Sequence, residues 1–243
     1  MTTPYLSIIL PAHNEGPRLH DCLTKLTNYL WSTHWSFEII VVDNGSADDT
    51  ETIGGIWEDA WPQVRYIRIC ERGKGLAVRT GMLEAVGRLR YMADVDLSTP
   101  ASEIQKFVSA IQEKDETDIV IGVRPRQDTN LLRRAMSAGF HAITRTLVPY
   151  TDTQCGFKMF TAAAAEEIFG RARVDGMAFD VEVLYLANRL GHPVCELPVN
   201  WTASGSSRVR LVRDTWQMAA DVVRLCLQNN SPQLVVPTET RRS

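Results

Sequence analysis

Short runs of β-branched and aliphatic residues alternate with longer stretches of helical apolar spacing through the first half of the chain. That alternation predicts βαβ units and an α/β fold with a mainly parallel sheet flanked by helices. Leu6-Ser7-Ile8-Ile9-Leu10 reads as a strand ended by Pro11, and Leu19, Leu23, Leu26 and Leu30 form the buried stripe of a helix from about Arg18 to Trp31. Glu38-Ile39-Ile40-Val41-Val42 is apolar almost without a break, as in a strand covered on both faces. Ser46 to Asp49 fits S-x-x-D, a capping box that would open the next helix. Val64 to Ile69 predicts a third strand, Gly75 to Leu89 a helix, and Tyr91 to Ala93 a fourth strand leading into Asp94. Thr99 can cap and Pro100 can take the first turn of a helix running to about Lys114, before a fifth strand over Asp118 to Gly122.

The alternation loosens after Gly122. Leu131 to Thr146 and Ala178 to Arg189 have helical spacing, Val194 to Leu197 reads as a strand, and Val212 to Leu227 as an amphipathic helix. Asn229 to Ser243 has little to bury and reads as a disordered tail. The expectation is one domain over 1–228, with a regular half over about 1–122 and an elaborated half over about 123–228.

Composition narrows the classes. With 243 residues and a formal charge of −3, the chain can bury a sizeable core and lacks the basic stripe of a nucleic-acid binder. Five widely spaced cysteines without a C-x-x-C pair read as reduced thiols, which fits a cytoplasmic setting. No apolar run approaches the roughly 18 residues needed to span a bilayer.

Candidate chemistry collects after the strands, where open α/β sheets bind ligands. Pro11-Ala12-His13-Asn14-Glu15 follows the first strand, Asp43-Asn44-Gly45-Ser46 the second, and Asp94-Val95-Asp96 the fourth. Two carboxylates one residue apart can hold a divalent cation against a phosphate, although a D-x-D pair can equally be a solvated turn. Asn44-Gly45 suits an ordinary turn, and Glu15 suits a helix start. Arg72-Gly73-Lys74-Gly75 places glycines, a cation and a helix N-terminus together, the parts of an anion site. It does not match the P-loop pattern.

The motifs PAHNE (Pro11 to Glu15), VVDNGSADDT (Val41 to Thr50), GKGLAVRTG (Gly73 to Gly81), ADVDLSTP (Ala93 to Pro100) and TQCGFKMF (Thr153 to Phe160) together resemble family-2 glycosyltransferases of the GT-A, Rossmann-like fold. DTQCGFK, with FDVEVLYLA (Phe179 to Ala187) and LPVNW (Leu197 to Trp201), is similar to the dolichyl-phosphate glucosyltransferase branch of the polyprenyl-phosphate sugar synthases. Asn44 departs from the second aspartate of VVDDGS, and Arg72 from the asparagine that commonly precedes G-K-G.

The resemblance implies a nucleotide-sugar donor bound by Pro11, Ala12, Asn14, Glu15, Asp43, Lys74, Asp94, Val95 and Asp96. It implies Mg²⁺ or Mn²⁺ at Asp94 and Asp96, and an acceptor phosphate facing Arg124, Arg133 and Ser137, with Arg134 nearby. Asp96, Lys158 and Arg124 would be the catalytic groups, Lys158 lying near the sugar. The implied reaction is inverting transfer of a hexose, glucose from UDP-glucose, to a polyprenyl or dolichyl phosphate at the cytoplasmic face of a membrane. A phosphate monoester is largely a dianion at neutral pH, so no strong general base is required. GDP-mannose as donor, a small soluble acceptor, and a nucleotide-sugar-binding module without turnover stand as alternatives. Arg208 to Arg213, running into Trp216, could lie peripherally on an anionic membrane or pack on the protein's own core. Oligomeric state is not legible.

Overall fold

The structure, a computed structural model, describes residues 3–113, 116–125, 144, 145 and 147–202. The predicted helices over Leu131 to Thr146 and Val212 to Leu227 and the tail lie almost wholly outside them. So do Arg133, Arg134 and Ser137.

Seven strands form one sheet: β1 (Leu6–Ala12), β2 (Phe37–Asn44), β3 (Val64–Ile69), β4 (Leu89–Met92), β5 (Ile119–Val123), β6 (Lys158–Thr161) and β7 (Val194–Pro198). Their order is β3-β2-β1-β4-β6-β5-β7. The first four run parallel, as does β7 to β5, and β6 is antiparallel to both of its neighbours. The helices are α1 (Gly16–Trp31), α2 (Thr50–Ala60), α3 (Lys74–Glu84), α4 (Ile104–Glu113), α5 (Ala162–Arg171) and α6 (Phe179–Leu190).

Side chains alternate across a strand, so the continuous apolarity of β1 and β2 supplies two cores at once. Ile8, Leu10, Ile39 and Val41 pack with the leucines of α1 and with Phe107 of α4. Ile9, Ile40 and Val42 face the other way, towards Val78 and Met82 of α3 and Phe169 of α5. Both layers press the sheet from either side, which holds the strand ends in fixed register for the loops that follow.

Several boundaries differ from expectation, each for a local reason. β1 does not stop at Pro11 but runs to Ala12, pairing Pro11 with Val42 of β2. Ala93 N donates to Ile9 O on the β4 side, and β4 ends at Met92. Pro11, two residues after Ile9, therefore needs no ladder donor on that side. The S-x-x-D capping box does not open α2, which starts at Thr50. Ser46 turns its hydroxyl to accept from Asn14 N at 2.8 Å, tying two loops together instead. α3 ends at Glu84 rather than Leu89 because Val86 N and Gly87 N donate to Glu38 Oε1 and Ser7 Oγ, each at 2.8 Å. Leu89 N then donates to Tyr5 O and the chain is already in β4. Thr99 does not cap: Pro100 precedes a short 3₁₀ turn over Ala101–Glu103 that leads into α4.

Candidate active site

The carboxyl ends of β1, β2, β3 and β4 lie along one edge of the sheet, as the parallel register Ala12–Asp43–Arg68 requires. The loops after these strands are stitched to one another by side chains. Asn14, in the left-handed region at φ 53°, accepts from Ala47 N at 2.8 Å through Oδ1. Glu15 N donates to Thr50 Oγ1 at 2.9 Å, and Gly16 N to Asp48 Oδ2 at 3.1 Å. Asn44 reaches the next loop, its Oδ1 accepting from Gly73 N at 2.8 Å. The departure from the VVDDGS pattern thus supplies a neutral amide that joins two loops of the site.

Asp43 is fully buried, its Oδ1 accepting from Ser46 N at 2.9 Å and its Oδ2 from the Tyr66 hydroxyl at 2.5 Å. Burial, and then this carboxylate, push the Tyr66 phenol well above its ordinary value, so it stays a donor. Pro11 and Ala12 form the last residues of β1 beneath these loops.

The G-K-G loop differs from the anion cradle expected of it. Gly73 N is taken by Asn44, while Gly75 N and Leu76 N both donate to Asp175 O, at 2.8 and 3.3 Å. The glycines serve close backbone packing: a Cβ on Gly75 would lie 2.6 Å from Phe179 Cβ, and one on Gly73 would lie 3.0 Å from the Asp175 carbonyl carbon. Gly73 N is thus spent on Asn44 and the Gly75 and Leu76 amides on the segment before α6, and the loop presents the Lys74 side chain towards Asp94. Arg72 is exposed.

Lys74 Nζ donates to Asp94 Oδ1 at 2.6 Å. Asp94, Val95 and Asp96 form a turn closed by Leu97 N donating to Asp94 O at 3.1 Å, while Ser98 N donates to Asp96 Oδ1 at 3.0 Å. Val95 is buried at 4% exposure, while Asp94 faces Lys74 and Asp96 lines a cavity against α1. Leu97 sits at φ 45°, a conformation that costs a non-glycine residue about 1–3 kcal/mol and is held here by the surrounding bonds. Beside Asp96, a cavity of about 110 Å³ is lined by Arg18, Asp21, Cys22 and Lys25 of α1. It is smaller than the roughly 300 Å³ of the least ligand pockets.

A second layer of charge lies beneath the D-x-D turn. Lys158, fully buried, donates to Cys155 O at 2.5 Å and pairs with Asp180 of α6. This places Lys158 under the site rather than at its surface. Gly156 lets the chain pass Asp94: a Cβ there would lie 2.9 Å from Asp94 Cγ. Arg124, after β5, donates from Nε and Nη2 to the two oxygens of Asp152, at 2.7 and 2.8 Å, and lies over the Trp201 ring at 5.8 Å.

These charges shift one another. Burial pushes the Asp94 carboxyl up, but Lys74, then Lys158 and Arg124, hold it below the usual range. Burial pulls the Lys74 ammonium down, yet Asp94 and Asp180 carry it above its ordinary value. Asp180 is raised by burial against the pull of Lys158 and Lys74.

Among the described residues no group of three or more His, Cys, Asp or Glu side chains is placed to hold a metal by itself. Asp94 and Asp96 offer two carboxylates, the donor set of a site whose remaining ligands are phosphate oxygens and water, as Mg²⁺ sites commonly are. The turn therefore fits a cation that arrives with a phosphate ligand. Sequence reasoning did not single out Asp152, Asp180 or Gly156 as site residues, although each lies inside a motif quoted for the resemblance, DTQCGFK or FDVEVLYLA.

Residues 7–169 match the family described as Glycosyl transferase family 2, which spans the stitched loops, the D-x-D turn and β6. The chain belongs to that family. The family-2 chain is 36% identical over 240 residues to a dolichyl-phosphate beta-glucosyltransferase of Dictyostelium discoideum, covering 91% of this chain and 73% of that one. It is 32% identical to the dolichyl-phosphate beta-glucosyltransferase of Saccharomyces cerevisiae (90% and 73% covered) and 31% identical to the human protein of that name (93% and 76%). Among solved structures, glucosyl-3-phosphoglycerate synthase of Mycobacterium tuberculosis in complex with Mn²⁺ and UDP-glucose superposes with a TM-score of 0.73 at 17% identity, covering 92% of this chain and 79% of that one. Its UDP complex gives the same TM-score and identity, with 92% and 80% covered. The fold is the GT-A arrangement, and the enzyme is a glycosyltransferase.

Proposed function

We propose that this glycosyltransferase moves glucose from UDP-glucose to a polyprenyl phosphate of the dolichyl type, inverting the anomeric carbon, with Mg²⁺ or Mn²⁺ at Asp94 and Asp96. One observation carries the reading: the relatives named above share 31–36% identity across nine-tenths of the chain, and all are dolichyl-phosphate beta-glucosyltransferases. When bound, the cation supplies charge neutralisation for the departing nucleoside diphosphate. Lys74 adds a positive charge on the same side. The nucleoside rests on the loops of Pro11, Ala12, Asn14 and Glu15, with Asp43 acting through Ser46 and Tyr66, which it holds. Arg124, oriented by its two hydrogen bonds to Asp152, positions the acceptor dianion together with Arg133 and Ser137. Lys158 is a positioning residue beneath Asp94 in this scheme, since no part of it is exposed.

A lipid acceptor requires the site to reach a membrane surface. No helix among the described residues is long and apolar enough to cross one. The basic segment from Arg208 to Arg213 with Trp216 provides the peripheral contact in this proposal, on the cytoplasmic face.

The test is transfer of labelled sugar into solvent-extractable lipid. Wild-type protein with UDP-glucose, dolichyl phosphate and Mn²⁺ forms the glucolipid, and Asp96→Ala lowers the rate about 100-fold or more, the scale of losing one charge-stabilising group. Transfer from GDP-mannose in preference, or onto a small phosphorylated acceptor only, overturns the donor or the acceptor assignment respectively.

A further inference from the structure

We propose that Asp180 is a positioning residue for the donor site, keeping Asp94 available to the donor's cation by balancing the two lysines that flank it. The inference rests on the donor reading given above. Four charges from four distant stretches meet beneath the D-x-D turn: Lys74 at the start of α3, Asp94 after β4, Lys158 in β6 and Asp180 in the first turn of α6. Lys158 and Asp180 have side-chain exposures of 0% and 5%, so water screens neither. Lys74 and Asp94 form the outer pair, a quarter and a third exposed.

With two ammonium groups and two carboxylates the cluster is neutral. Lys158 has one carboxylate partner, Asp180, and one carbonyl partner, Cys155 O. Gly156, two residues before Lys158, lies against Asp94, and Gly75, next to Lys74, packs on Phe179, next to Asp180, so the inner pair adds to the potential felt by the outer one. Remove the Asp180 charge and two ammonium groups share the single carboxylate Asp94. That carboxylate then sits in a net positive environment, and a divalent cation meets repulsion where it should meet a ligand. Asp180 touches neither cation nor sugar, and acts through its two lysines, as partners behind metal ligands do.

Charge balance predicts a pattern of signs that packing alone does not. Binding of Mn²⁺ with UDP is measured by calorimetry on folded protein, with circular dichroism and Tm recorded for each variant. Asp180→Asn weakens Mn²⁺·UDP binding by about 10–100-fold, the range for residues that support a metal ligand. Lys158→Met leaves the cluster with excess negative charge, and the cation binds as tightly as in wild type or more so. The double variant removes the buried pair together and returns affinity to within about threefold of wild type, and it remains measurable if Asp180→Asn does not fold.

Wild-type affinity in folded Asp180→Asn overturns the proposal, as does a double variant weakened as much as or more than Asp180→Asn, or more than about tenfold where that variant does not fold. A loss in Lys158→Met that matches its loss of Tm also overturns it, because the residues then act only by packing. If wild-type protein takes up no Mn²⁺ with UDP, the donor reading falls and this inference falls with it. If wild type binds and the three variants bind alike, only this inference falls.

Discussion

The D-x-D turn is held by groups that look unremarkable one at a time. Gly156 is required because Asp94 occupies the space its side chain would fill. Gly156→Ala is expected to destabilise the protein by about 1–3 kcal/mol, the usual scale of overpacking, and to lower transfer more than stability alone explains, because the displaced group is Asp94 itself. Urea titration alongside initial rates checks both. The Lys74–Asp94 pair has a defined pH window. Asp94 is held low, so its contribution is present above its unfolded value near 3.9 and is lost as pH falls through its folded value. Lys74 is held high, so its contribution is present below about 10.4 and is lost as pH rises through its folded value. The stability difference between wild type and Lys74→Met should therefore be flat from about pH 5 to 9 and shrink in acid. Its size is about 1 kcal/mol at most, since both groups are partly screened. Cysteine reactivity follows burial in the same way: burial pushes the Cys155 thiol up to about 11, and the residue is fully enclosed, whereas Cys70 is exposed. Maleimide at pH 8 should label Cys70 and leave Cys155 unlabelled until the protein unfolds.

At the scale of elements, legibility tracked how much of a signal was local. The apolar stripe of α1 was readable because helical periodicity and burial coincide at Leu19, Leu23, Leu26 and Leu30, and β3 because its β-branched run is local even though only Val64 is buried. The end of α3 was not, because it is decided by Glu38 and Ser7, residues 48 and 80 positions away from the amides they accept from. Ser46 has the sequence of a cap and the function of a loop tie, since Asn14 N reaches its hydroxyl across a sequence gap of 32. β6 and α5 were missed for another reason. Lys158 to Thr161 is four residues long with a lysine at its start, a pattern that becomes a buried strand only because Asp180 arrives from α6 to pair that lysine. α5 did carry a readable sign in Thr161, whose hydroxyl accepts from Ala164 N at 3.3 Å ahead of four alanines. Thr161→Ala should cost about 1 kcal/mol, measured as a lower urea midpoint with an unchanged m-value. The D-x-D pair and Lys74 were legible as charged residues after strands, and Arg124 through the family resemblance. Asp180, which pairs with Lys158, and Asp152, which pairs with Arg124, were not, because pairing across 22 and 28 residues is a property of the sheet order.

For the whole molecule, the site is distributed over both halves of the chain. Lys74 and Asp94 follow strands of the parallel half of the sheet, Lys158 opens the antiparallel strand β6 with Gly156 just before it, and Asp180 comes from a helix packed in the same core as α3. A ligand that bridges Lys74, Asp94 and Asp96 binds only when these parts are assembled, so its binding free energy is added to the stability of the folded state. At about 100 times its Kd a ligand contributes roughly 2.7 kcal/mol. For a domain of 150–250 residues this raises Tm by about 5–11 °C. UDP with Mn²⁺ should produce a rise of that order, UDP without a divalent cation a much smaller one, and GDP with Mn²⁺ little. A larger rise with GDP would transfer the donor assignment to a guanosine nucleotide. The same scan separates donor binding from acceptor binding: Asp96→Ala should lose the shift with UDP and Mn²⁺, whereas Arg124→Met should retain it and fail only in transfer, because its guanidinium lies on the β5 side with Asp152 and Trp201.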